Sequence, residues 1–224
     1  MEKAICFGWS KLNFSSNLAD LRKYFFRYLK PIENAVLIQI KQKPISLTDE
    51  YEIFIGEDLF YTAVSKPFKQ TAKIDIFSAA TNSQIMKIAK QNFGIRANYL
   101  IQFFDGEEIY SLEEINNIKL TFKCQIKDDL YQLYGHNGNK FSIFKNQKQI
   151  GFWEKNNFIF GERDFYNLTA NDNESPVLLS AFCICIDNAK NNFQNELSLL
   201  NFDIGFKGNL LRKFDENWKP NSCE

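Results

Sequence analysis

The sequence predicts a mainly β protein: a closed antiparallel β-barrel of about twelve strands around a central buried hydrophobic helix, with extra helical segments at the chain ends. Three observations carry that expectation. A strand-turn-strand unit recurs about six times between Ile40 and Ala170. Apolar and polar residues alternate inside the units. The array then gives way at once to a wholly apolar stretch, Val177 to Ile186.

The units align when read beside one another. Lys41-Gln-Lys-Pro-Ile45 leads into Tyr51-Glu-Ile-Phe54, and Lys66-Pro-Phe68 leads into Ile74-Asp-Ile-Phe77. Lys90-Gln-Asn-Phe93 precedes Tyr99-Leu-Ile-Gln-Phe103, and Asn116-Asn-Ile118 precedes Leu120-Thr-Phe-Lys-Cys124. A degenerate copy spans Tyr131 to Phe144, and Lys155-Asn-Asn-Phe158 precedes Phe165-Tyr-Asn-Leu168. The anchors Ile45, Phe68, Phe93 and Ile118 fall 23 to 25 residues apart, so each unit reads as one hairpin. Within them Tyr51, Ile53 and Ile55 alternate with Glu50, Glu52 and Phe54, and Phe141 and Ile143 flank Ser142, the pattern of half-buried strands. Gly56-Glu57, Ala80-Thr-Asn82, Asp105-Gly106 and Asn146-Gln147 supply the turns. A sheet of about a dozen strands curls or closes, because closure removes the exposed edges.

The predicted contents of the barrel are Ser175-Pro-Val-Leu-Leu-Ser-Ala-Phe-Cys-Ile-Cys-Ile-Asp187, a central helix over about residues 175–188. Asp172, Asn173 and Ser175 offer capping oxygens and Pro176 suits the first helical position. A helix apolar on every side must be buried on every side, here by Leu178, Leu179, Phe182, Ile184 and Ile186. The competing reading is one more buried strand; length and flanking signals favour the helix. A membrane span needs roughly 20 apolar residues, more than this run has.

The hairpin Ile53-Phe-Ile-Gly-Glu-Asp-Leu-Phe-Tyr-Thr-Ala-Val64, the Phe141 to Gly151 unit and the closing Leu178 to Asp187 segment resemble the bacterial LURP-one-related proteins. That group is similar in fold to the tubby C-terminal domain and the phospholipid scramblases. The resemblance covers Val36 to Lys190 and implies a twelve-stranded barrel enclosing a central helix. It also implies a lipid-headgroup or membrane-surface binding module, with anionic or phosphoinositide lipids as partners. The acidic calcium-binding segment and proline-rich leader of scramblases have no counterpart here, and no Asp-x-Asp-x-Asp-Gly series occurs. No ligand residue carries over from the basic pocket of tubby domains.

Composition narrows the function classes. The 224 residues, 45% hydrophobic with 23 Phe, furnish one large core. Acidic and basic residues balance at 27 each, which removes the basic excess a nucleic-acid binder declares. Met1-Glu-Lys-Ala opens the chain with no long apolar leader and no lipidation pattern. Five cysteines, Cys6, Cys124, Cys183, Cys185 and Cys223, are odd in number and irregularly spaced, which argues for a reducing, cytoplasmic setting. Cys183 and Cys185 are two apart, about 200° around a helix, so they cannot chelate one ion and read as inert core cysteines.

Catalytic chemistry is poorly supplied. The sole histidine, His136, lies in Gly135-His-Asn-Gly138, which reads as a solvated turn joining two strands. Glu107-Glu108 and Glu113-Glu114 read as solvated residues near hairpin tips. There is no Gly-x-Ser-x-Gly elbow and no Gly-rich phosphate loop, so the expectation is a non-enzyme with no cofactor and no metal.

The chain divides, on this reading, into an N-terminal extension (1–35), the barrel (36–190) and a C-terminal extension (191–224) that packs on the barrel. Asn17 to Leu29 has the pattern of an amphipathic helix, apolar at Leu18, Leu21, Phe25 and Leu29 and basic at Arg22, Lys23, Arg27 and Lys30. Three functions follow in order. The first is a non-catalytic module, peripheral to the membrane, that binds anionic headgroups through barrel-wall lysines Lys119, Lys123, Lys127, Lys140 and Lys145. The second is a scaffold for a protein partner, and the third a small-ligand carrier, disfavoured because the helix fills the barrel.

Overall fold

The computed structural model describes residues 34–43, 49–66, 72–91, 96–116, 120–136, 139–156, 164–198 and 212–220, with side chains of the last helix as far as Lys190. The expected N-terminal helix, the repeat anchors Ile45, Phe68, Phe93, Ile118 and Phe158, and Lys119 lie outside the described residues. Alternating sequence becomes twelve strands: β1 (Ala35–Gln42), β2 (Asp49–Ile55), β3 (Asp58–Lys66), β4 (Lys73–Ser78), β5 (Gln84–Gln91) and β6 (Asn98–Phe103). They continue as β7 (Ile109–Asn116), β8 (Thr121–Ile126), β9 (Asp129–His136), β10 (Lys140–Lys145), β11 (Lys148–Asn156) and β12 (Phe165–Asn171). Each pairs antiparallel with its sequence neighbour, and β1 pairs with β12, so the meander closes into a barrel with no free edge.

The turns form where the sequence offers residues that tolerate left-handed backbone. Gly56 has φ +62° between β2 and β3, and Asn146 and Gln147 both have positive φ between β10 and β11, as a two-residue hairpin turn requires. Asn146 also accepts from the Leu130 amide (2.8 Å) and donates to Asp129 (2.8 Å), tying two hairpins together. Gly151 sits where β11 presses on β12; a Cβ there would lie 2.8 Å from the Thr169 carbonyl oxygen.

After β12 the chain turns inward as helix α1 (Pro176–Ser198). Ser175 Oγ accepts weakly from the Leu178 amide (3.5 Å), and Pro176 takes the first helical position. Leu178, Leu179, Phe182, Ile184 and Ile186 are all buried within one continuous core that includes Ile40, Ile53, Ile76, Ile88, Ile101 and Leu133 of the barrel wall. Phe182 lies at its centre, its ring 5.6 Å from that of Tyr131. The interior is therefore a packed core rather than a ligand chamber.

One sector of the wall is also covered outside. Phe214 and Trp218 both stack edge-on against Phe152, Arg212 lies 3.8 Å over the Phe144 ring, and Trp218 Nε1 donates to the Gln149 carbonyl (3.1 Å). Residues 212–220 thus cover β9 to β11, which explains why both faces of β10 are buried although its sequence alternates.

Candidate functional site

The described lysines expected to bind headgroups do not form one patch. Lys123 on β8 points outward and pairs with Glu113 of β7 at 3.1 Å. Lys140, at the other end of β10 from Lys145, pairs with Glu154 at 3.5 Å and lies over Phe214. Lys145 pairs with Asp129 at 3.1 Å and with Glu174 at 3.7 Å. Lys127 is exposed at the β8–β9 turn beside Asp128. Three of these cations thus already have carboxylate partners.

A different pair of lysines has none among the described residues. Lys66 ends β3 and Lys73 begins β4, directly opposite one another in register and both exposed. Among the described residues neither takes part in an ion pair. Like charges placed opposite on one sheet face destabilise the pairing. Exposed Lys87 of β5 lies one strand further, opposite Asp75. Sequence analysis missed Lys66 and Lys73 because their meeting depends on register across a connection.

A second polar cluster lies where α1 leaves the core. Lys155 Nζ, mostly buried, donates to Asp187 Oδ1 (3.1 Å) and pairs with Asp164. Burial alone would lower its pKa, but the two aspartates outweigh burial and raise it. Lys190 donates to Asn139 Oδ1 (3.1 Å), and its pKa is lowered, by burial first and by the charge of Lys155 second. With these charged groups, Asn139, Tyr166 and Cys183 are among the residues that line a small pocket with room for about one water. Tyr99 Oη donates to Asn188 Oδ1 (2.9 Å) nearby, a further link from wall to helix. The arrangement anchors α1 to the wall electrostatically; burial raises the thiol pKa of Cys183 and of Cys185, leaving both poor nucleophiles.

Two expectations need correction. His136 is not a solvated turn residue: it ends β9, is 4% exposed, and its Nε2 shares a 2.7 Å hydrogen bond with Ser142 Oγ. Its ring meets Phe214 edge-on at 5.3 Å, so residues distant in sequence exclude water from it. Glu114 is also buried, and one carboxylate oxygen accepts from the Ala97 amide (2.7 Å); only Glu107 and Glu108 of the acidic pairs are exposed at a tip.

The histidine gives a pH dependence with a definite sign. Burial lowers its folded pKa below the ordinary value of 6.5, so the unfolded chain binds the proton first. Its contribution to stability is complete above that value and is lost as pH falls through the folded pKa. Glu114, whose pKa burial raises, acts oppositely, favouring the fold at low pH. Urea titrations of wild type and His136→Gln between pH 5 and about 7 should show the wild type losing stability more steeply on acidification. Parallel curves would disprove the assignment.

A family model described as LURP-one-related matches residues 34–187, the whole barrel and the buried half of α1. No curated protein and no solved structure matches the chain.

Proposed function

The chain belongs to the LURP-one-related family, and from that premise we propose that it is a non-catalytic barrel that binds anionic lipid headgroups at a membrane surface. The proposal extends to a bacterial branch of the family, kinship with tubby C-terminal domains and phospholipid scramblases, and a cytoplasmic, membrane-peripheral location. Among the described residues no helix is long and apolar enough to cross a bilayer.

The observation that carries the reading is the Lys66–Lys73 opposition. A fold gains nothing from two lysines facing each other, whereas a phosphate between them turns repulsion into attraction. Lys87 extends the basic strip; Lys123 and Lys140 contribute less because both are ion-paired, and Lys127 and Lys145 stand at the opposite end of the barrel. The packed interior argues against a carrier.

Co-sedimentation with phosphatidylcholine vesicles, with and without phosphatidylserine or a phosphoinositide, tests this at low and physiological salt. Binding should require the anionic lipid and weaken with salt. Lys66→Glu should lower binding by about tenfold or more, since each basic residue near an anionic surface contributes ~1 kcal/mol. The same change creates a cross-strand ion pair with Lys73 worth roughly 0.2–1 kcal/mol, so the melting temperature should not fall. Unaltered partitioning of Lys66→Glu would remove the proposed site.

A further inference from the structure

The opposite end of the barrel carries a surface of different chemistry. Four of the large apolar side chains most exposed among the described residues are Leu59 (41%), Phe60 (44%), Phe104 (65%) and Ile109 (56%). Leu59 and Phe60 follow the β2–β3 turn, and Phe104 and Ile109 flank the β6–β7 turn. The β4–β5 turn lies between these tips. The Ala79 amide donates to the Phe60 carbonyl (2.9 Å) and the Phe104 amide to the Ile85 carbonyl (2.8 Å), so the three tips form one continuous rim. Exposed aromatic and aliphatic side chains gathered on consecutive tips are the usual mark of an interaction surface.

The charges of the rim define what fits it. Glu57, Asp58, Asp105, Glu107 and Glu108 are exposed there, and residues 56–60, 79–85 and 104–109 contain no lysine or arginine. An anionic bilayer would be repelled by these carboxylates, and a second copy would bring two acidic rims together. A basic segment carrying its own apolar side chains meets both features at once.

We propose that this rim, formed by the β2–β3, β4–β5 and β6–β7 tips, docks a basic amphipathic segment of a partner protein, with Phe60, Phe104 and Ile109 as the apolar anchors. The headgroup-binding lysines sit at the other end of β3, so a barrel held on a membrane by Lys66 and Lys73 presents this rim away from the bilayer.

The test uses the full chain and a fluorescent amphipathic peptide of leucine and lysine, read by anisotropy. Its glutamate counterpart and a lysine–serine peptide without apolar residues serve as controls. The basic amphipathic peptide should bind best. Phe104→Ser with Ile109→Ser, and separately Glu57→Lys with Glu107→Lys, should each raise Kd by about tenfold or more without lowering the melting temperature. Equal binding by the serine variant, or by the glutamate peptide, would overturn the proposal. So would a wild-type dimer that the serine variant dissociates, which makes a second copy the occupant. Phe104-dependent binding to neutral vesicles would likewise overturn it in favour of a membrane.

Discussion

Phe182→Asp should abolish cooperative folding. The side chain is fully buried in the first half of α1, against Tyr131, with apolar neighbours from the barrel wall around it. Removing a buried phenylalanine costs about 3–5 kcal/mol by itself. An unpaired carboxylate adds several more, whether it stays charged or binds a proton without a partner. That sum approaches the whole stability of an ordinary domain, roughly 5–15 kcal/mol. Phe182→Leu keeps the site apolar and should melt cooperatively at a lower temperature. Circular dichroism melts of the two variants decide the matter: a soluble, cooperatively melting Phe182→Asp protein contradicts a helix at the centre of the barrel.

Lys155→Met should be the next most damaging single change, by about 3–5 kcal/mol, because it leaves a buried carboxylate without its cation. Asp187 is 3% exposed, and Lys155 is its ion-pair partner from the wall. Asp187→Asn should cost less, since Lys155 keeps Asp164. Combining Lys155→Met with Asp187→Asn removes both charges and should recover most of the loss, as replacement of a whole buried pair by neutral groups is often near neutral. Chemical denaturation of the three variants forms a double-mutant cycle. Additive losses would show that the pair does not anchor the helix.

The barrel was legible because closure and alternation repeat in the sequence. Strands such as Lys73-Ile-Asp-Ile76 place every second residue inward, and most strand glutamates and lysines fall where alternation puts them outside or at a rim. Glu114 on β7 is buried where the Ala97 amide satisfies it, and Lys155 on β11 is mostly buried where Asp187 does. The apolar run from Val177 to Ile186 reads as buried on all sides for the same reason, since its one polar side chain, Ser180, bonds the Pro176 carbonyl of its own helix. Local signals also placed the turns at Gly56 and Asn146.

The site was far less legible. Lys155 and Asp187 are 32 residues apart and meet only because β11 lines the barrel that α1 enters. The repulsive Lys66–Lys73 opposition arises from strand register, which the alternation within each strand does not specify. His136 and Ser142 look solvated until Phe214 and Phe152 close over their side of the wall. The exposure of Leu59, Phe60, Phe104 and Ile109 follows from their position beside the turns, which hydrophobic pattern alone does not reveal.

By itself, then, the sequence determined the strands of the barrel, the central helix and most of the apolar residues that form their core, because alternation, turn chemistry and a nearly all-apolar helix are local properties of hydration and backbone sterics. Only the tertiary structure decided which charges face each other, which polar residues lose their water and which apolar residues keep it. Those outcomes depend on distances between strands remote in sequence, set when closure of the barrel around its helix aligns every register at once.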